Sequence, residues 1–279
     1  MPIDLDEYRR RSHETWERTA ANWDSEREFI HSATAPVNER MVERLDPRPG
    51  DTILDIAAGT GDTGYLAAAA IGDSGRLIST DFAAAMVDAA QGVSEELGLE
   101  NVQHRVLDAE HMDLDDSSVD GVLCRFGYML MADPAAALRE TRRVLRDGGR
   151  LCFAVWTAPD ENQWAFLSGL VMVERGHMPP PDPDAPGIFA LADPERIRGL
   201  VTGAGFAEPV IEQLEFPWPY ADVDEHWSLT RKLAGPLSIA IDRLDEDERE
   251  AVRGEVRSRI EPLIADGPLT GSVHVVTTS

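Results

Sequence analysis

Ile53-Leu54-Asp55-Ile56-Ala57-Ala58-Gly59-Thr60-Gly61-Asp62-Thr63-Gly64 reads as a short apolar strand running into a glycine turn and then a helix. Gly59, Gly61 and Gly64 fall at the spacing G-x-G-x-x-G. Glycine lets the backbone turn sharply and come close to a ligand. The start of a helix offers unpaired N–H groups to a negative group. Alone, this motif suits the pyrophosphate of a dinucleotide and the carboxylate of another nucleoside cofactor equally well.

Outward from this turn the chain alternates strand and helix patterns. Thr52 to Ile56, Arg76 to Thr80, Val102 to Val106, Val119 to Cys124 and Leu151 to Val155 read as strands. Helices are expected over 62–71, over 83–97, and from Asp133-Pro134 to about Leu145, where Asp caps and Pro fits the first turn. Such alternation predicts a mostly parallel sheet with helices on both faces, an α/β fold. Ligands of such sheets bind beyond the carboxyl ends of the strands.

Upstream, 5–23 is an amphipathic helix with Tyr8, Trp16, Ala20 and Trp23 at helical spacing, and 35–45 a second helix ending before Pro47-Arg48-Pro49-Gly50. Downstream, 157–192 breaks the alternation with Trp164, Met172, Met178 and the proline-rich run 179–187. It is too long for an ordinary connection and reads as a lid over the fifth strand. A helix restarts at Asp193-Pro194, a strand follows at 206–215, and Ser272 to Thr278 is the last strand. The expected division is a helical cap over 1–50, a cofactor-binding core over 51–156, a lid insertion over 157–192, and the rest of the core over 193–279 with a helical insertion at about 217–266.

Carboxylates narrow the choice of cofactor. Asp81 follows the second strand, where it can accept both hydroxyls of a ribose. Asp55, just before the glycine turn, would oppose a pyrophosphate but suits a cofactor carrying an ammonium and a sulfonium. Asp108, in Asp108-Ala109-Glu110 after the third strand, can accept an adenine amino group, with Phe82 and Met86 on either side of the ring. A nicotinamide-dependent oxidoreductase shares the turn and Asp81 but gives no reason for Asp55 and Asp108. A Tyr-x-x-x-Lys pair is also excluded, because Lys232 is the only lysine.

The chain has 279 residues, 26 basic and 51 acidic, for a formal net charge of −25. Polyanions such as nucleic acids and anionic membrane surfaces are repelled by such a field. The acidic excess fits both a GC-rich coding bias and a high-salt cytoplasm. No stretch approaches the roughly 18 apolar residues that cross a bilayer, and the polar first residues hold no secretion-signal core. The expectation is a cytoplasmic protein, monomeric or homodimeric, acting on a small molecule. Cys124 and Cys152 read as buried, reduced thiols, and no spacing suggests a metal site.

Together these segments resemble the class I S-adenosylmethionine-dependent methyltransferases. Ile53–Gly61 resembles the family's first motif, Leu77–Met86 its ribose-binding motif, Val102–Asp108 its adenine motif and Val119–Arg125 its fourth-strand motif. Leu138–Val155 resembles the helix–turn–strand that follows. Arg125-Phe126-Gly127 and Asp133-Pro134 bring the chain nearest to the ubiquinone/menaquinone C-methyltransferase group. The resemblance implies a Rossmann-like seven-stranded, mostly parallel sheet, order 3-2-1-4-5-7-6, with an antiparallel seventh strand, N-terminal helices and helical insertions forming a lid. It implies S-adenosylmethionine as cofactor, with Ala57, Gly59 and Gly61 near its methionine end, ordered by Asp55. Asp81 would hold the ribose, Asp108 and Ala109 the adenine, while Cys124 and Arg125 border the methyl group and Trp23 closes over the site. The nucleic-acid amino methyltransferase pattern, Asn or Asp before Pro-Pro and an aromatic, is replaced here by Cys124-Arg125-Phe126-Gly127.

Methyl transfer is an in-line displacement that needs alignment and exclusion of water more than acid–base machinery. Tyr128, Trp156, His177 and Trp227 are candidates for the wall of an acceptor pocket, with Trp164 and Trp218 as further aromatic candidates. His111, His177 and His226 are the histidines a base would be drawn from. The expected activity is methyl transfer to oxygen or carbon of a small, apolar or aromatic acceptor. The competing readings are an NAD(P)-dependent oxidoreductase and a non-catalytic S-adenosylmethionine binder.

Overall fold

A computed structural model describes residues 4–182 and 185–279. Pro183 and Asp184, within the expected lid, and the first three residues of the expected cap lie outside the described residues.

β1 (Thr52–Ile56), β2 (Arg76–Asp81), β3 (Val102–Val106), β4 (Val119–Arg125) and β5 (Leu145–Trp156) form parallel neighbours in one seven-stranded sheet. β7 (Leu269–Thr278) pairs antiparallel with both β5 and β6 (Val210–Trp218), giving the order β3-β2-β1-β4-β5-β7-β6. The fold is therefore the Rossmann-like, mostly parallel sheet expected. β5 begins earlier than its apolar pattern suggests. Leu145 already pairs with Val119, and the chain then bulges through Gly148 (φ 80°) before Arg150 meets Gly121. The sixth strand starts four residues and ends three residues later than expected, at 210–218.

The helices are α1 (Leu5–Ser25), α2 (Arg27–Leu45), α3 (Asp62–Ile71), α4 (Ala84–Glu96), α5 (Pro134–Val144), α6 (Gln163–Glu174), α7 (Pro194–Gly203), α8 (Val223–Leu233), α9 (Pro236–Asp242) and α10 (Glu246–Ala265). α2 starts eight residues before the expected point and carries Pro36 within it. Val37, Met41 and Leu45 are buried in the main core. α1 lies against α4, joined by an apolar cluster of Ala20, Ala83 and Met86. The first turn of α4 has no cap of its own. Glu17 of α1 supplies one, accepting the N–H groups of Ala84 (2.6 Å) and Ala85 (3.3 Å).

The antiparallel β7 decides where the last insertion goes. β6 ends, and β7 begins, at the carboxyl end of the parallel strands. The intervening α8–α10 must therefore leave and return on that same side. α6 is tied there by Asn162, which is fully buried between β5 and β7. Its Oδ1 accepts the Ser272 N–H (2.9 Å) and the Trp164 indole N–H (3.3 Å), and its Nδ2 donates to Ser272 O (3.0 Å) and Thr157 Oγ1 (3.1 Å). Asn162→Ala leaves the buried Ser272 N–H without its acceptor and opens a void between β5, β7 and α6, while Ser272 O keeps Thr157. We expect a loss of about 3 kcal/mol in urea denaturation and increased mobility of Trp164, read by its fluorescence.

Candidate functional site

A cavity of about 350 Å³ opens at the carboxyl ends of β1, β2, β4 and β5. The glycine turn, Ala57 to Thr60, forms part of its wall. The β1–β2 ladder continues past the strands: Thr80 Oγ1 donates to Asp55 O (2.8 Å), Ala58 N–H to Thr80 O (2.9 Å) and Gly59 N–H to Asp81 Oδ2 (3.1 Å). Asp81 Oδ1 accepts the Ala83 N–H at 3.1 Å. Ala57, Gly59 and Gly61 all have positive φ, at 52°, 56° and 92°. A Cβ on Gly59 would meet nothing within 4 Å, whereas one on Gly61 would collide with the Tyr65 ring. Gly59 therefore fronts the cavity and Gly61 backs onto α3.

Two carboxyls at this turn are out of water. Asp81 lines the cavity, and burial pushes its pKa up to about 6 against the N–H groups that hold it. Asp55 lies beneath the turn, against Gly64 of α3. Burial pushes it up to about 7, opposed by the nearby Arg125 guanidinium. Asp55 Oδ2, Thr60 Oγ1 and Trp23 Nε1 are buried without hydrogen-bond partners among the described residues, and Thr60 and Trp23 line the cavity.

Beyond Asp81, Phe82, Met86, Leu107, Asp108 and Ala109 form one wall. Trp16 and Trp23, edge to face at 5.6 Å, close it from α1. This helix is fastened at three further points. Arg9 donates from Nε (2.9 Å) and Nη2 (2.6 Å) to Glu110 Oε2, whose other oxygen accepts the Asp133 N–H (3.1 Å). The Tyr8 hydroxyl donates to Leu130 O at 2.8 Å. Lys232 of α8 pairs with Glu26 at the α1–α2 junction.

The other end of the cavity is aromatic. Phe126 stacks on Trp156 (4.3 Å, 15°), Trp164 stacks on Trp218 (4.0 Å, 13°), and Phe29 stacks on Tyr220 (5.5 Å, 24°). Trp156 meets Trp164 edge-on at 5.0 Å. Leu229, Leu233 and Leu237 of α8 and α9 complete it. Phe126 holds φ at 60°, a strained value for an aromatic residue. Between the two ends lies Arg125, its side chain 9% exposed. It donates from Nη1 to Thr34 Oγ1 and stands 3.6 Å from Asp62 Oδ2.

The structure thus brings Ala57, Gly59, Asp81, Phe82, Met86, Asp108, Ala109, Arg125, Trp23 and Trp156 to one cavity. It corrects the expected surroundings of several others. Cys124 is fully buried with its thiol beneath Gly127, because neighbouring strand residues face opposite ways and Arg125 takes the cavity side. Tyr128 turns away toward α5, bonds Thr141 Oγ1 at 2.7 Å and packs edge-on against Phe153. His177 pairs with Glu248 of α10 at 2.7 Å, away from the cavity. Trp227 is buried in the core and does not line the cavity. Asp55 and Gly61 support the turn from behind. Of the other histidines, His226 is fully buried with Nε2 against Trp164 O (2.8 Å), and His111 is exposed beside Asp108.

Tyr8, Arg9, Thr34, Thr60, Glu110 and Tyr220 line the cavity without having been singled out by sequence. The spacing of Tyr8 and Trp16, about two turns apart on one face of α1, is the one sequence signal for part of this set.

Residues 47–165 match a family described as a methyltransferase domain. A ubiquinone/menaquinone biosynthesis C-methyltransferase of Acidiphilium cryptum is 31% identical over 214 residues, 72% of this chain and 84% of that protein. Nocamycin O-methyltransferase of Saccharothrix syringae is 28% identical over 251 residues, covering 86% and 88%. Among solved structures, the [4+2]-cyclase SpnF matches with TM-score 0.55 at 16% identity, covering 94% of this chain and 95% of that one. A phosphoethanolamine N-methyltransferase of Haemonchus contortus in complex with S-adenosyl-L-methionine matches with TM-score 0.54 at 15% identity, covering 88% and 52%. At such identities the structural likeness speaks for the fold alone. The orphaned Thr60 hydroxyl, the Asp81 carboxylate and the open face of Gly59 fit a nucleoside cofactor with a charged amino-acid end, and with the 31% identity they lead to one conclusion: the chain belongs to the class I S-adenosylmethionine-dependent methyltransferases.

Proposed function

We propose that this enzyme methylates an oxygen or carbon of a small, planar, apolar acceptor. The observation that carries this reading is the aromatic end of the cavity, where Phe29, Phe126, Trp156, Trp164, Trp218 and Tyr220 face a space continuous with the glycine turn. Flat rings pack against such walls by dispersion and offset stacking, each pair adding about 1 kcal/mol beyond area burial. Relatives named for C- and O-methylation support both acceptor atoms.

When bound, S-adenosylmethionine supplies an electrophilic methyl carbon on a sulfonium that departs as a neutral thioether. The chain orients and shields it. Asp81 accepts the ribose hydroxyls, Asp108 the adenine amino group, and Phe82 and Met86 flank the base. The glycine turn, with Thr60 and the charge of Asp55 beneath it, holds the methionine end. α1, latched by Arg9 and Tyr8, keeps water out, and the described residues of 157–192 with 217–266 act as the acceptor lid.

Turnover of a panel of naphthols, hydroquinones, aliphatic alcohols and amines tests the acceptor class. Planar hydroxylated rings are expected to be methylated and amines not. Trp164→Ala is expected to raise the acceptor KM about tenfold or more while the affinity for S-adenosylhomocysteine stays the same. Preference for an aliphatic amine would overturn the reading.

Buried Asp55 and Asp81 also imply a pH dependence. Burial favours their neutral acids, so the folded protein holds these protons more tightly than the unfolded chain. Their contribution to the free protein's stability is present in acid. It is lost as pH rises from the ordinary carboxylate value of 3.8 through about 7. Binding of the cationic cofactor goes the other way, because it draws on the ionised carboxylates. Calorimetry is expected to find S-adenosylmethionine binding at least about tenfold tighter at about pH 8 than at about pH 5, and Asp55→Asn to flatten that rise.

A further inference from the structure

The cavity's ionisable groups are unevenly distributed. Its lining carboxylates, Asp81, Asp108 and Glu110, belong to the cofactor end, and no histidine lines it among the described residues. At the aromatic end, burial holds the Tyr220 phenol well above its ordinary pKa, and His226 lies behind that ring with Nε2 turned to a backbone carbonyl. A hydroxylated acceptor there meets no protein base. It does meet one cation. Arg125 lies where the glycine turn gives way to the aromatic walls, with its guanidinium 5.6 Å from the Phe126 ring centre.

The surroundings of Arg125 hold it in place with one hydrogen bond and one ion pair. Thr34 of α2 takes one donor. Asp62 of α3 faces it at 3.6 Å, an ion pair without a hydrogen bond, and shares its other oxygen with His31 of α2 at 3.2 Å. Asp55 of β1 is the second carboxyl near it, and Asp81 of β2 lies beyond that. A guanidinium has more donors than these partners use, and its planar fork suits an oxyanion better than an ammonium does.

We propose that Arg125 receives the oxygen of a planar hydroxylated acceptor and holds it as its oxyanion, so that the acceptor is activated by a fixed cation and not by a base. This rests on the acceptor class proposed above. The hydroxyl proton leaves to solvent as the acceptor ionises. For O-methylation the oxygen lone pair forms the new bond to the methyl carbon while the carbon–sulfur bond breaks with its electrons on sulfur. For C-methylation the ring carbon ortho to the oxyanion forms that bond, and its proton is then lost to solvent as the ring regains aromaticity. Phe126, next in sequence, is locked by its stack on Trp156 and fixes the ring that bears the oxygen.

The probe is 4-nitrophenol bound to the S-adenosylhomocysteine complex, titrated by the visible absorption of its phenolate. In the wild type the bound phenol is expected to ionise at least about one pH unit below its value in free solution. In Arg125→Met and Arg125→Gln that shift is expected to vanish, with S-adenosylhomocysteine still bound as the check that the site is folded. The glutamine variant keeps a donor for Thr34, so loss of the shift there separates charge from packing. A bound phenol with its free-solution pKa in the wild type, or a shift retained in both neutral variants, overturns the role of Arg125 and leaves the acceptor class standing. Failure of 4-nitrophenol and of 2-naphthol to bind the wild-type complex overturns the acceptor class, and the role of Arg125 with it.

Discussion

The parallel ladder between β1 and β2 sets the geometry of everything at the cavity's cofactor end. Its register places Asp55 opposite Ser79 and Ile56 opposite Thr80. The pairing then continues where the strands have ended, through Ala58 to Thr80 and Gly59 to Asp81. The turn's backbone and the ribose-side carboxylate are one hydrogen-bonded unit. Shifting either strand by one residue would move Asp81 to the opposite face and leave the Gly59 N–H unpaired. Preorganisation of this kind is what a reaction limited by alignment requires.

α1 builds on that unit from outside. It caps α4 with Glu17, clamps the loop after β3 through Arg9 and Glu110, and reaches the loop after β4 through Tyr8. The exposed contacts contribute about 1 kcal/mol or less each, whereas the Arg9–Glu110 pair costs more to break because Glu110 is buried. Together they grip three loops that surround the cavity. The helix thereby couples the positions of all three loops.

The cofactor half of this arrangement was readable in the sequence because its signals are local. A strand end, a glycine turn and an acidic residue after the next strand are set by spacing over some thirty residues, and strand alternation carries the rest. The acceptor half was readable only as composition. Trp156, Trp164 and Trp218 reach the cavity, while Trp227 and Tyr128 do not, and nothing in their neighbours distinguishes them. Which way an indole on α8 points depends on how that helix is rotated against α6 and α10, a long-range packing result. His177 was drawn away by Glu248, some seventy residues later in the chain. The pairing of Cys124 with Arg125 as joint neighbours of the methyl group ran against strand geometry. Adjacent residues of β4 cannot both face the same space.

The division of the cavity walls along the chain has a consequence for how such enzymes diversify. The cofactor walls come from residues before 157, α1 included. Most of the aromatic and aliphatic walls come from α6, the end of β6, α8 and α9. Because β7 returns antiparallel, these later segments enter and leave on the ligand side without passing through the sheet. An exchange of the chain beyond β5 between two relatives would therefore transplant most of the acceptor chamber, while Phe29, Phe126 and Trp156 would stay with the core. The cofactor walls and most of the acceptor walls are thus separate along the chain, and they meet at Asn162 and at the Arg125–Phe126 step where β4 ends.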